Sequence, residues 1–100
     1  MAEDGELDIM LAQSYMNLDQ LDAAAKAARA GIRKGKLRRE DQAYVMLGQI
    51  LFNMEAFEDS RQAFQQAQAD ARSRKLAAQW LRYITAEVER KAQLEAALEG

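Results

Sequence analysis

The chain has 100 residues, enough for one domain with a modest core. Good helix formers dominate, proline is absent and no alternating β-branched run occurs, so an all-α protein is expected. A net charge of −2 argues against a general affinity for nucleic acid, and the lack of cysteine and histidine removes disulfides, thiolate zinc sites and the commonest general base.

The first helix is expected to start near Gly5 or Glu6 and to end around Asn17. Leu7, Met10, Leu11 and Leu18 follow helical spacing, and Glu3, Asp4, Glu6 and Asp8 suit the positive end of the helix dipole. Asn17-Leu18-Asp19-Gln20 reads as a tight turn, with Asp19 the expected N-cap of a second helix. That helix carries Leu21, Ala24, Ala25, Ala28 and Ile32 on one face and stops at Lys34-Gly35. A linker over 35–39 leads to a third helix from Glu40 to Asn53, and a fourth spans about Phe57 to Ala71. Ser73 is expected to cap a fifth, long helix from Arg74 to Leu98, with Leu76, Trp80, Leu81, Ile84 and Val88 as its apolar stripe. Charge rises beyond Val88, so the last turns should project or fray.

The chain also repeats itself. Asp8-Ile9-Met10-Leu11-Ala12-Gln13 and Tyr44-Val45-Met46-Leu47-Gly48-Gln49 share Met-Leu-small-Gln, 36 residues apart. Asn17 returns as Asn53, Leu21 as Phe57, Ala24 as Ser60, Ala28 as Phe64 and Gly31 as Ala67. Self-similarity at this period marks a solenoid of stacked helical pairs, an architecture used to build extended binding surfaces.

These offsets resemble the tetratricopeptide repeat (TPR). Its pattern is matched by Leu11, Ala12, Tyr15, Leu21, Ala24, Ala28 and Gly31, then by Tyr44, Leu47, Gly48, Leu51, Phe57, Ser60, Phe64 and Ala67. Physically, Ala12 with Ala24 and Gly48 with Ser60 let paired helices approach closely. Asp8 stands where a bulky opener belongs, and Lys36 and Arg72 replace the closing proline. Continuing the period places Trp80 and Tyr83 in register, but Ile84 falls where Gly or Ala belongs, so the fifth helix is expected to cap the array. The resemblance implies a right-handed helical-hairpin solenoid: a disordered acidic start at 1–5, repeats at 6–34 and 40–71, and a capping helix at 72–100.

A narrower resemblance lies in the runs 37–44 and 73–84. They look like the C-terminal part of proteobacterial TPR proteins associated with TonB-type energy-transduction systems. It implies a periplasmic accessory protein, with a cytoplasmic one as the alternative. Met1-Ala2-Glu3-Asp4-Gly5-Glu6 does not read as a signal peptide, and no apolar stretch approaches the roughly 18 residues of a membrane span.

In TPR geometry the first helix of each pair lines a concave groove. By register the groove holds Glu6, Ile9, Met10, Gln13, Met16 and Asn17, then Gln42, Val45, Met46, Gln49, Phe52 and Asn53, then Leu81, Arg82 and Thr85. The residues expected to bind a partner are Met10, Gln13, Met16, Asn17, Met46, Gln49, Phe52, Asn53 and Arg82. Amide ladders Gln13/Gln49 and Asn17/Asn53 would pair with a peptide backbone, and Met and Phe adapt to varied apolar partners. The competing expectation is that Met10, Val45 and Met46 simply pack between repeats. The Lys and Asn clamp of chaperone-tail receptors is replaced by Ile9, Gln13, Val45 and Gln49.

Charge falls in blocks. Residues 1–22 are acidic without a base, and residues 26–39 carry Lys26, Arg29, Arg33, Lys34, Lys36, Arg38 and Arg39 without an acid. No aromatic is interleaved with the basic block for base stacking, and cations suit a helix C-terminus, so nucleic acid is not the expected partner. No nucleophile constellation, phosphate loop or cofactor motif occurs, so a non-enzymatic scaffold for a peptide or protein partner is expected. The alternative is structural self-assembly, a homodimer through the open face of the first helix, where Leu7 and Leu11 lack a neighbour.

Overall fold

A computed structural model of the chain describes residues 5–100. The expected disordered start therefore lies outside the described residues, except for Gly5, which is buried and belongs to the folded part. Five helices follow: α1 (Glu6–Asn17), α2 (Leu21–Lys34), α3 (Glu40–Asn53), α4 (Phe57–Ala67) and α5 (Ala71–Glu99). They pack as sequential hairpins, α1 on α2 and α3 on α4, and the long α5 lies against α4 and the edge of α3. The hairpins are joined chiefly by α3 on α2 and more lightly by α3 on α1, whereas α2 and α4 stand apart. α3 touches both α1 and α5, and these three helices share one side of the stack.

The two hairpin turns are copies of each other. Gln20 N–H donates to Tyr15 O and Ala56 N–H to Leu51 O, both at 2.9 Å. Asp19 N–H donates to Met16 O at 3.0 Å and Glu55 N–H to Phe52 O at 2.9 Å. This bond pair closes the last helical carbonyls in the manner of a Schellman motif. It requires a left-handed residue, supplied by Asp19 (φ 60°) and Glu55 (φ 62°). Asp19 therefore ends α1 rather than capping α2, whose N-cap position is held by Gln20 with no side-chain bond. Where the start of α1 meets the end of α2, two glycines face each other. A Cβ on Gly5 would lie 1.9 Å from Gly31 O, and Gly5 N–H donates to Gly35 O at 2.9 Å.

α3 is the central element. It buries Asp41, Ala43, Val45, Leu47, Gly48, Ile50 and Leu51, on faces turned toward both hairpins. One apolar cluster joins Ala12, Ala24, Ala25 and Ala28 to Leu47, Ile50, Leu51 and Ala63. The second joins Val45, Phe64, Ala67, Ala77 and Ile84, with Phe52, Phe57, Trp80 and Leu81 packed around them. Small residues make the crossings possible. Ala12 and Ala24 are wholly buried, and Ser60 Oγ donates to Gly48 O at 2.7 Å across the α3–α4 interface. The hydroxyl thereby satisfies itself inside the core while the helices stay close.

The second half departs from expectation at its joints. α4 stops at Ala67 instead of Ala71, and α5 begins at Ala71 instead of Arg74. Asp70, not Ser73, caps α5, accepting from Arg72 N–H at 2.8 Å. α5 stays helical to Glu99, and its last turns are exposed. Trp80 is half-buried, its ring stacked on Phe64 with centroids 5.2 Å apart.

A Cβ added at Gly48 would lie 2.6 Å from the Phe64 ring. Gly48→Ala gains about 1 kcal/mol of helix propensity but overpacks a buried ring, a cost of roughly 2–3 kcal/mol. The expected net loss is about 1–2 kcal/mol, read as a lower urea midpoint with an unchanged slope. A variant as stable as the parent would show that α3 and α4 do not meet at this point.

Candidate functional site

The side shared by α1, α3 and α5 holds two distinct features. The first is a cleft of about 340 Å³ where α1, α3 and the linker converge, lined by Glu6, Ile9, Leu37, Arg38, Arg39, Gln42, Ala43 and Met46. Ile9, Ala43 and Met46 make an apolar floor, while Arg38 and Gln42 are exposed at its edge. Glu6 Oε1 accepts from Arg38 N–H at 2.8 Å and so ties α1 to the linker. Lys34 adds a second tie, its Nζ 2.8 Å from Asp8 Oδ2.

The second feature is an aromatic ledge between α3 and α5. Phe52 stacks on Tyr83 at 5.3 Å and meets Trp80 and Phe57 edge-on, each at 5.4 Å. Such pairs contribute about 0.5–1.5 kcal/mol each beyond simple burial. Lys91 sits 5.6 Å over the Phe57 ring and pairs with Glu55, pinning α5 to the second hairpin turn.

The residues expected to bind a partner scatter across these features. Met46 lines the cleft and also packs against the first core cluster. Met16 packs against that same cluster, and Met10 is exposed. Val45 is buried in the second cluster. Gln13 Nε2 donates to Asn17 Oδ1 at 3.1 Å, one turn along the same helix. Gln49 is half-buried and Asn53 exposed. Phe52 is committed to the ledge that seats α5. Arg82 is exposed, with no carboxylate paired to it among the described residues. Leu81 packs on the second cluster, and Thr85 Oγ1 donates to Leu81 O at 3.1 Å.

Behind the cleft lies a buried carboxylate that sequence reasoning missed. The Asp41 side chain is 1 % exposed and sits 2.7 Å from Arg39 Nη2. Arg39 Nε donates to its other oxygen at 2.9 Å, and Ser73 Oγ of α5 donates at 2.5 Å. Arg72 Nη2 stands 3.9 Å away and bridges on to Asp70 at 2.7 Å. The bidentate Arg39 bond, with Ser73 and the Arg72 charge behind it, holds the Asp41 carboxyl far below the usual carboxylate range despite its burial. Arg72 likewise lowers Asp70. One carboxylate thereby joins the linker, the first turn of α3 and the start of α5. An acid between Arg39 and a tyrosine-bearing helix gives little local sign of this; its second partner lies 32 residues away.

Among the described residues no cluster of His, Cys, Asp or Glu could hold a metal ion, and no helix is long and apolar enough to cross a membrane. Comparison with family models, curated proteins and solved structures gave no match. The surface offers an apolar floor, exposed amides and a guanidinium.

Because the folded-state pKa of Asp41 is depressed, its stabilisation is fully present above about pH 4 and is lost as pH falls through the folded value. Asp41→Asn should cost about 2–3 kcal/mol at pH 7, less than a fully enclosed pair because the arginine heads reach water. Urea unfolding of both proteins should show this gap narrowing as pH drops below about 4. A gap that is constant with pH would mean that the carboxylate charge contributes nothing.

Proposed function

We propose that this chain is a non-enzymatic scaffold of TPR type that holds a peptide segment or a protein partner on its concave side. The observation that carries the reading is the convergence of Ile9, Ala43 and Met46 with Arg38 and Gln42 in one cleft between α1 and α3. The matching hairpin turns 36 residues apart and the Gly48–Ser60 crossing support the repeat reading. The resemblance of 37–44 and 73–84 to accessory proteins of TonB-type systems extends the proposal to a periplasmic role.

Relative to the register-based groove, the binding residues move toward the linker. Ile9, Arg38, Gln42 and Met46 are the core of the site, while Phe52 serves α5. Truncating Phe52 would loosen α5 and confuse loss of binding with loss of structure, so it is a poor probe. Arg38 and Gln42 are better placed, since both are exposed at the edge of the cleft.

A displayed peptide library selected on the immobilised protein should yield segments whose binding shifts backbone amide NMR signals around Ile9, Arg38, Gln42 and Met46. The double variant Arg38→Ala, Gln42→Ala should weaken those peptides at least tenfold, about 1.4 kcal/mol, while its helical circular dichroism persists. Signal shifts confined to the convex side, or unchanged affinity in the double variant, would remove the cleft from the reading.

A further inference from the structure

We propose that the linker over 35–39 and the start of α5 form a latch around Asp41, so that the wall of the α1–α3 cleft loosens whenever the first turn of α5 lifts away. The linker carries strain. Lys36 sits at φ 57°, a left-handed conformation that a residue with a side chain keeps only where its surroundings impose it. Ties on both sides impose it here. Toward α1, Gly5 N–H donates to Gly35 O at 2.9 Å and Arg38 N–H to Glu6 Oε1 at 2.8 Å. Toward α3, the Arg39 guanidinium holds both oxygens of Asp41, at 2.9 and 2.7 Å. Arg39 also closes the first turn of α3, its carbonyl accepting from Gln42 N–H at 3.1 Å and from Ala43 N–H at 3.3 Å. With Leu37 and Arg38 it lines the cleft.

The grip on Asp41 depends in turn on α5. Ser73 Oγ, 32 residues further along the chain, donates to the same Oδ2 that Arg39 Nη2 holds. Arg72 Nη2 stands 3.9 Å from Oδ1, and Ser73 itself is buried. With these groups in place the carboxylate side chain is 1 % exposed, and an ion pair shielded in this way is stronger than the same pair in water. Lifting the first turn of α5 removes the Ser73 donor and lets water reach Asp41. The Arg39 bond then weakens toward that of a surface pair, which contributes little, and Lys36 is free to relax. Linkage makes the effect reciprocal: whatever steadies Arg39 from the cleft side also seats α5.

Hydrogen exchange followed by NMR tests this on the free protein, so the outcome is separate from whether the cleft holds a peptide. Ser73→Ala should speed exchange at Arg39 Nε–H, Gln42 N–H and Ala43 N–H about fivefold or more, while Gln20 N–H in the first hairpin turn keeps its parent rate. Arg39→Ala should in turn speed exchange at Ser73 N–H, which donates to Asp70 O at 3.1 Å. Combined, the two changes should add little at Ala43 N–H and Ser73 N–H to what one alone does, because both act through Asp41. Should Ser73→Ala lose helical circular dichroism, Arg72→Gln at an exposed position serves in its place, with a smaller effect at the same groups. Faster exchange confined to α5 in Ser73→Ala overturns the proposal, as does an acceleration that reaches Gln20 N–H equally. Effects of the two substitutions that multiply as independent ones overturn it as well.

Discussion

The structure turns on how closely α3 can approach α4. Gly48 offers no side chain at the crossing, so the Phe64 ring moves into the space a Cβ would occupy. Ser60 fills the remaining polar need by donating to the Gly48 carbonyl. Phe64 is thereby fixed as a flat platform, Trp80 stacks on it, and α5 is seated. Every later contact, including the aromatic ledge and the Lys91 ties to Glu55 and Phe57, presupposes that seating. A single missing methyl group thus governs where the last third of the chain goes.

A second constraint works at the opposite end of α3. Burying a carboxylate is unfavourable unless its oxygens are fully satisfied. Asp41 meets this condition only when the linker presents Arg39 and α5 presents Ser73. The bonds therefore select one geometry for the linker and one starting point for α5. Apolar packing along α3 leaves more freedom in both. The concave cleft inherits its shape from this selection, since Arg39 forms part of its wall and Leu37 and Arg38 follow the linker path.

Much of the fold could be read from local pattern. The span Glu40–Asn53 is bounded by an acidic first turn and by the end of its apolar periodicity, and both signals are short-range. The twelve-residue spacing of Ala12 to Ala24 and Gly48 to Ser60 pointed to the crossings, because small residues at matching places let two helices approach closely. What failed depended on partners distant in sequence. Asp70 and Ser73 are both competent N-caps, and local rules rank them nearly equal. The buried Asp41 engages Ser73 and leaves the cap to Asp70. α4 ends at Ala67 with no glycine or proline to mark it. The contacts of Phe52 with Trp80 and Tyr83 were likewise hidden from the register of α3 alone.

The two sides of the stack are held by different forces. The hairpins meet chiefly where α3 packs on α2, with only light contact to α1, and a carboxylate shielded from solvent ties α3 to α5. The gap between α2 and α4 is spanned by the exposed pair Arg29–Asp59 at 3.8 Å, a type of bond with little strength in salt water. Salt that screens this pair leaves the apolar seam, and with it the placement of one hairpin on the other, untouched.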